Sequence, residues 1–200
     1  MNPLAIRTSI DRCVLREWRE TDIASLARHA NNRNVSRFLL DQFPFPYTER
    51  DARDWIATAT AKAKATETHG MHLAIEIEGE AAGGIGAAFG EGNARATAAI
   101  GYWIGEAHWG GGIATAAVRA FAEHLLAEHT VGPTAIDRLE ATVFANNPAS
   151  IRVLAKTGFA REIHVDDGGD DDGGDGHDDN DATAATNLGV RFVRLRNAGA

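Results

Sequence analysis

The stretch of sequence that decides the fold is IGYWIGEAHWGGGIATAAVRAFAEHLL, residues 100–126. It begins as an apolar strand, passes through three glycines at 110–112, and continues with apolar residues at helical spacing. A glycine-rich turn between a strand and a helix lets main-chain amides converge at the positive end of the helix dipole. The stretch therefore predicts a site for an anion such as a phosphate, formed without side-chain charge. The alternative is a tight turn that binds nothing.

The pattern on both sides of this stretch predicts a single α/β (α+β) domain over residues 1–200. Before it, a short β-like run and two helices, the second capped by Thr48 and Asp51, precede three β-like runs that read as an antiparallel meander. After it come a strand, a helix opened by Asn147 and Pro148, and two final strands. The predicted order is β-α-α-β-β-β-α-β-α-β-β, a mixed, mostly antiparallel sheet flanked by helices. The predicted ranges are 71–78, 81–89 and 95–105 for the meander, 112–129 for the helix after the glycines, 139–144 for the next strand, and 159–165 and 188–196 for the last two.

The charge of the chain is concentrated in one segment. Nine of the 28 acidic residues are aspartates between 166 and 181, where no Lys or Arg occurs, and the other 19 nearly balance the 20 basic residues. This aspartate- and glycine-rich insertion is expected to be a solvated loop between the last two strands. The open alternatives are that it attracts a cationic acceptor or binds Ca²⁺ incidentally.

Several classes of protein are excluded by composition. The chain has no basic stripe, so no nucleic-acid partner is expected. No apolar run is long enough for a signal peptide or a membrane span, and the single Cys13 cannot form an intrachain disulfide, so we expect a cytoplasmic protein with no membrane partner. His124 and His129 do not share a helix face, and no metal site is predicted.

Five segments of the chain occur in the order typical of one enzyme family: LREWRETD, FPFPYTERDARDWI, GYWIG, WGGGIAT and ATVFANNPASIRVLAKTGF. With them, the chain resembles the GNAT superfamily of acyl-CoA-dependent N-acyltransferases from about Val14 to Arg196. Within that superfamily it resembles the branch of the ribosomal-protein N-acetyltransferases, RimJ/RimL-like. The resemblance implies an acetyl-CoA-dependent N-acetyltransferase in which an amine attacks directly in a ternary complex.

The resemblance also implies a site for acetyl-CoA as co-substrate. In the family, the main chain of the loop that matches 109–114 holds the CoA pyrophosphate. The strand that matches 102–104 separates from its neighbour to admit the pantetheine arm, and one of its main-chain N–H groups meets the acetyl carbonyl as an oxyanion hole. The implied cofactor contacts are Tyr102, Trp103, Ile104, Trp109, Gly110, Gly111, Gly112, Ile113, Ala114, Asn147 and Ser150.

Two residues are candidates for proton transfer. The resemblance implies that Ser150 protonates the departing CoA thiolate, since Leu154 stands where many members have a tyrosine. Glu140 is a candidate general base on the polar face of its strand. Simpler alternatives stay open: Ser150 and Asn147 as capping residues only, and water as the base for an α-amine with a pKa of about 8.

The acceptor side is expected in the region 32–55. There Phe38, Phe43, Phe45 and Tyr47 are expected to form an aromatic wall, unless they belong to a hydrophobic loop that only closes the core. The first-choice acceptor is the α-amine of a protein N-terminus, such as that of a basic protein. The alternatives are a small-molecule amine (a polyamine or an amino sugar) and a non-catalytic acyl-CoA-binding module. A homodimer is expected by analogy with the branch alone.

Two positions depart from the family pattern. The loop usually carries Lys or Arg where Gly111 stands, and Ala107 stands where Gln or Arg is common. Arg152 and Lys156 are expected to compensate by approaching the 3′-phosphate of CoA, unless they form only a solvated helix face.

Overall fold

The computed structural model describes residues 4–39, 43–64, 70–91, 94, 96–128, 130–131, 134–162 and 189–196. The strands are β1 (Ala5–Arg7), β2 (Cys13–Arg16), β3 (Gly70–Ile77), β4 (Glu80–Phe89), β5 (Thr97–Ile104), β6 (Thr130–Val131), β7 (Thr134–Ala135), β8 (Arg138–Phe144), β9 (Ala160–Arg161) and β10 (Gly189–Leu195). The helices are α1 (Ile23–Ala30), α2 (Arg33–Ser36), α3 (Glu49–Lys64), α4 (Ile113–Glu128) and α5 (Pro148–Lys156), with 3₁₀ turns at Glu20–Asp22 and Glu106–His108.

Eight of the strands form one sheet in the order β1-β2-β3-β4-β5-β8-β10-β9, and β6 pairs with β7 in a separate hairpin. All neighbours in the large sheet are antiparallel except β5 and β8, which run parallel. The meander expected before the glycines is confirmed as β3-β4-β5. The predicted class, a mixed and mostly antiparallel sheet flanked by helices, is confirmed with it.

The structure adds four short elements to the predicted order. Strand β1, helix α2 and the hairpin strands β6 and β7 have two to four residues each, too few for a period of 2 or 3.6 to be detected. Strand β9 covers two residues of the predicted 159–165, of which 163–165 lie outside the described residues. The acidic segment 166–181 lies outside them as well.

The two faces of the sheet carry separate apolar cores. On one face, α4 buries Phe121 and Leu125 against strand residues such as Leu15, Leu73 and Leu139. On the other face, α1 and α3 cover a smaller cluster that contains Trp18, Leu26, Ala30, Tyr47, Ala52 and Ile56. No helix within the described residues has both the length and the apolarity to cross a membrane.

Two helices begin with the capping chemistry that the sequence predicts. At α3, the Thr48 N–H donates to Asp51 Oδ2 (2.8 Å) and the Asp51 N–H donates to Thr48 Oγ1 (3.3 Å), the reciprocal bonds of a capping box. Hydrogen bonds from Thr48 lower the pKa of Asp51. At α5, Asn147 Oδ1 accepts the Ser150 N–H at 3.1 Å, and Pro148 is the first helical residue.

A buried ion pair joins the connection before α1 to the sheet. Arg16 donates to both carboxylate oxygens of Asp22, at 2.7 and 2.8 Å, and its Nε–H donates to Glu76 on β3. Arg16 and Asp22 are each 4% exposed. Burial lowers the pKa of Arg16, but the hydrogen bonds to Asp22 and Glu76 outweigh burial and raise the pKa overall, so the guanidinium stays charged. Removal of Arg16 would therefore leave the buried Asp22 carboxylate without its cation, and removal of Asp22 would leave the buried guanidinium with Glu76 but without its bidentate partner.

Asp22→Ala is expected to lower the free energy of unfolding by about 3–5 kcal/mol, because Arg16 keeps its buried charge without its main partner. Urea unfolding followed by circular dichroism measures the change. Glu20→Ala is the matched control, since Glu20 is exposed in the same 3₁₀ turn, and its effect should stay within about 0.5 kcal/mol. A loss below about 1 kcal/mol for Asp22→Ala would contradict the assigned role.

Candidate functional site

The neighbouring strands β5 and β8 separate within the sheet. Their parallel pairing covers only Thr97–Ala99 and Arg138–Glu140. Strand β5 continues to Ile104, and β8 continues to Phe144. Beyond the last pair the two strands no longer bond to each other, which leaves a gap in the sheet. This is the separation expected at 102–104.

The direction of the main-chain groups of β5 follows from its pairing with β4. Hydrogen-bonded and non-hydrogen-bonded pairs alternate in an antiparallel ladder. The Gly90 N–H donates to Thr97 O at 2.9 Å, and the Gly105 N–H donates to Ala82 O at 2.8 Å. The odd-numbered residues of β5 therefore bond to β4. The even-numbered residues turn their N–H and C=O groups toward β8.

Two main-chain donors face the gap as a result. They are the N–H groups of Tyr102 and Ile104, which lie beyond the last pair with β8. The carbonyl of Ile104 accepts from the indole N–H of Trp109 at 2.7 Å, so this carbonyl is already occupied. Donors that a strand holds rigidly in a gap can stabilise a developing oxyanion.

The glycine turn between β5 and α4 follows directly. Gly110 and Gly112 have φ angles of 79° and 77°, in the left-handed region that glycine tolerates. A Cβ at either position would meet nothing within 4 Å, so the space over the turn is open. The Ala116 N–H donates the first i→i+4 bond of α4 to Gly112 O, which leaves the amides of Ile113 and Ala114 without intrahelical acceptors. Such a cradle fits a pyrophosphate group.

Helix α5 begins after β8, on the other side of the gap, and touches β5 there. The Tyr102 hydroxyl donates to the Ser150 carbonyl at 3.4 Å. Burial raises the pKa of Tyr102 to about 12, so the phenol is protonated at neutral pH. Ser150 lies in the first turn of α5, where the helix dipole favours a nearby anion. These residues are 48 positions apart, and no local pattern in the sequence predicts their contact.

Three aromatic rings lie together on the sheet face that α1 and α3 cover. Phe43 stacks on Tyr47 with ring centroids 4.9 Å apart and meets Trp103 edge-on at 6.2 Å. Gly84 on β4 makes room for the indole, because a Cβ there would lie 2.9 Å from Trp103 Nε1. The structure thus brings two of the predicted acceptor-side residues to a residue predicted to contact the cofactor.

The other two predicted aromatics have different neighbours among the described ring contacts. Phe38 lies beneath the Arg37 guanidinium, with 4.6 Å from Cζ to the ring centroid. Phe45 lies beneath the Arg33 guanidinium at 5.4 Å and is 46% exposed. Their role in acceptor binding stays a prediction.

Glu140 lies on the uncovered part of the face that carries Trp103. It pairs with Ala99 of β5, and paired residues on neighbouring strands share a face. Its Oε1 accepts from Arg138 Nε at 2.7 Å. Next along β5 on this face, a Cβ at Gly101 would meet nothing within 4 Å. The carboxylate therefore borders an open cleft but is held by an arginine.

Polar contacts tie the short helix α2 to the residues before the glycine turn. Side-chain amides of Asn32 and Asn34 donate to the two carboxylate oxygens of Glu106 at 2.7 and 2.8 Å. The contacts span more than 70 residues of sequence, and no local pattern in the sequence predicts them. They fix helix α2 relative to the residues before the glycine turn.

A half-buried histidine lies next to this connection. His29 on α1 donates from Nε2 to Glu80 Oε1 at 2.7 Å, and its ring centroid is 5.4 Å from that of His108. Its Nδ1 fills the place that a Cβ at Gly105 would need. Burial lowers the pKa of His29, and the cations at Arg28 and His108 lower it further.

Two remaining expectations concern ions. Arg152 and Lys156 are exposed on α5, and their contact with a 3′-phosphate stays a prediction. Within the described residues, no three His, Cys, Asp or Glu side chains are grouped so that they would hold a metal ion.

Together the fold and the gap define a class of protein. Residues 12–160, most of the chain, match the family described as acetyltransferase (GNAT) domain. The chain belongs to this family, and the resemblance carried by the five sequence segments is confirmed.

Individual proteins and solved structures are similar to this chain. A stretch of 66 residues is 42% identical to the probable N-acetyltransferase YjcK of Bacillus subtilis (strain 168), and it covers 33% of this chain and 34% of that protein. The match thus spans about a third of the curated relative's length. RimJ of Mycobacterium smegmatis in complex with CoA-disulfide superposes with a TM-score of 0.72 at 22% identity, over 96% of this chain and 86% of that one. RimL, a ribosomal L7/L12 alpha-N-protein acetyltransferase in complex with coenzyme A, gives 0.73 at 18% identity, over 98% and 100%. At these identities the likeness confirms the fold.

His29→Gln is expected to make the stability of the protein less sensitive to acid. The pKa of His29 is lowered from 6.5 by folding, so the unfolded chain binds a proton that the folded chain does not. The part of the free energy of unfolding that depends on a neutral His29 is fully present above about pH 6.5. It is lost as the pH falls toward the folded pKa, by at most about 1.4 kcal/mol per pH unit. Urea unfolding at about pH 7.5, 6.5 and 5.5 measures it for the wild type and the variant. Equal losses of stability in the two proteins would contradict the prediction.

Proposed function

We propose that this protein transfers the acetyl group of acetyl-CoA to a primary amine, and that the α-amine of a protein N-terminus is its acceptor. The observation that carries the proposal is the gap between β5 and β8, which opens beside the glycine turn that begins α4. Membership of the acetyltransferase family supports the reaction. The structural neighbours RimJ and RimL support the choice of acceptor.

The residues around the gap fit acetyl-CoA, which supplies an activated thioester carbonyl when bound. The main chain at 110–114 holds the pyrophosphate, and the even-numbered residues of β5 bond to the pantetheine arm. The N–H groups of Tyr102 and Ile104 are the donors available to the carbonyl oxygen as it gains charge. One such preorganised donor contributes about 3 kcal/mol to catalysis.

Proton transfer does not require a strong base among the side chains. An α-amine with a pKa of about 7.7–8.0 is partly neutral at pH 7 and ready to attack. Glu140 borders the cleft as a carboxylate held by Arg138, and it accepts the proton directly or through water. Ser150, at the positive end of α5, donates its hydroxyl proton to the departing thiolate as the C–S bond breaks, and regains a proton from solvent water. Alignment of the two reactants then carries most of the rate enhancement.

The open cleft above Gly101 is the feature that suits a peptide end. Trp103, two residues further along β5, lies on the same face as Gly101 and brings Phe43 to one side of this open space. Tyr47, stacked on Phe43, is buried. An extended N-terminus is narrow enough to enter with its amine first. The acidic segment 166–181, outside the described residues, would attract acceptors with basic N-termini.

Gly112→Trp is expected to abolish acetyl-CoA binding, because the variant strains a positive φ and places a large ring where phosphate would lie. Isothermal titration calorimetry measures the affinity. Gly158→Trp is the matched control: Gly158 has a φ of 83° and is exposed at the end of α5 away from the gap, so binding should persist. Equal affinity in both variants would contradict the proposed site. Binding by the wild type without turnover of any peptide or amine would assign a non-catalytic module instead.

Ser150→Ala is expected to lower kcat by about tenfold or more, since a positioned acid contributes at least that much. Steady-state rates at saturating acetyl-CoA and N-terminal peptide measure it, with the KM values as a second readout. Ser150→Thr keeps a hydroxyl and should retain most of the rate. If the alanine variant keeps the wild-type kcat while Tyr102→Phe loses it, the acid is the phenol rather than the serine.

A further inference from the structure

Arg12 lies beside the glycine turn although it is far from it in sequence. Its Nη2 atom is 4.0 Å from the point where a Cβ would stand at Gly111. Gly111 is the position at which the chain lacks the Lys or Arg expected from the family resemblance. A guanidinium from the β1–β2 connection thus reaches the place that a basic side chain of the loop would occupy.

The position of Arg12 is fixed by main-chain hydrogen bonds. The Glu78 N–H donates to Arg12 O at 2.9 Å, and the next residue, Cys13, donates its N–H to Ile10 O at 2.8 Å. The side chain makes one ion pair, from Nη1 to Glu78 Oε1 at 3.1 Å, and is 54% exposed. A guanidinium has five N–H donors in a planar fork, so this pair leaves Nη2 able to bind an anion on the turn.

We propose that Arg12 binds the pyrophosphate of CoA in place of the missing cation of the loop. The inference rests on the proposed function, because that function puts a pyrophosphate on the turn. The turn itself offers only partial charges, equivalent to about half a unit charge at the helix start. An arginine adds a full charge and can bind phosphate oxygens through two parallel hydrogen bonds. Because Gly111 has no side chain, it leaves room for the guanidinium beside the turn.

The test compares CoA affinities by isothermal titration calorimetry in the wild type, Arg12→Ala and Arg50→Ala. The Kd of Arg12→Ala is expected to rise about tenfold, as for a lost charge-assisted bond. The difference should shrink at high salt. Arg50 is an exposed arginine on α3 that also pairs with a carboxylate, Asp54, so its variant controls for the loss of one surface charge. Its Kd should stay within about twofold of the wild type.

Two further titrations test whether Arg12 contacts the pyrophosphate. The same loss is expected with dephospho-CoA, which keeps the pyrophosphate and lacks the 3′-phosphate. Gly111→Lys in the Arg12→Ala background should restore most of the affinity, because Gly111 has no positive φ and a Cβ there is 4.0 Å from its nearest neighbours. The same lysine in the wild type should add little, since two cations would then compete for one site.

The outcomes distinguish a failure of the proposed function from a failure of the role assigned to Arg12. If the wild type does not bind CoA, the proposed function fails and the inference fails with it. If the wild type binds CoA and Arg12→Ala binds as tightly, the inference alone is wrong. It is also overturned if Arg50→Ala loses as much affinity, if the loss disappears with dephospho-CoA, or if Gly111→Lys does not rescue.

Discussion

Three residue pairs between β5 and β8 set the dimensions of the site. The pairs of 97–99 with 138–140 are enough to place the two strands side by side, while the core beneath α4 contains residues of both, such as Ile100 and Leu139. A longer ladder would consume the N–H groups of Tyr102 and Ile104. The sheet is therefore held together by packing on one face beyond the last β5–β8 pair, and the main-chain groups of β5 stay available there for the ligand that we propose.

Consecutive residues of β5 serve different halves of the site because a strand alternates its side chains. Tyr102 points toward α4 and α5, where its hydroxyl meets Ser150. Trp103 points toward α1 and α3, where it joins Phe43. One dipeptide thus links the side predicted to bind the cofactor to the side predicted to bind the acceptor, and the bonds from Asn32 and Asn34 to Glu106 tie α2 to the start of the glycine turn.

The parts of the site that the sequence predicts are those formed by neighbouring residues. The glycine turn, the start of α4 and the Asn147 cap each depend on a few adjacent positions, and the structure has all three. The contact of Tyr102 with Ser150 and the approach of Arg12 to the turn depend on strand order, which no local period encodes. The aromatic side chains show the same limit: the edge-on contact of Phe43 with Trp103 joins residues far apart in sequence, and the part of Phe38 and Phe45 in acceptor binding stays a prediction.

Because the main-chain groups alternate along β5, the site is sensitive to the deletion of a residue as well as to substitution. Replacing the side chain of Tyr102 or Ile104 leaves the N–H in place, since every residue except proline carries one. Deleting a single residue between Ala99 and Tyr102 would exchange the two sets of residues: Trp103 and Gly105 would present their N–H groups to the gap, and the side chain of Tyr102 would move to the other face of the sheet, away from Ser150. The number of residues in this strand therefore decides which side chains lie beside the donors in the gap, although any residue except proline can supply the donors themselves.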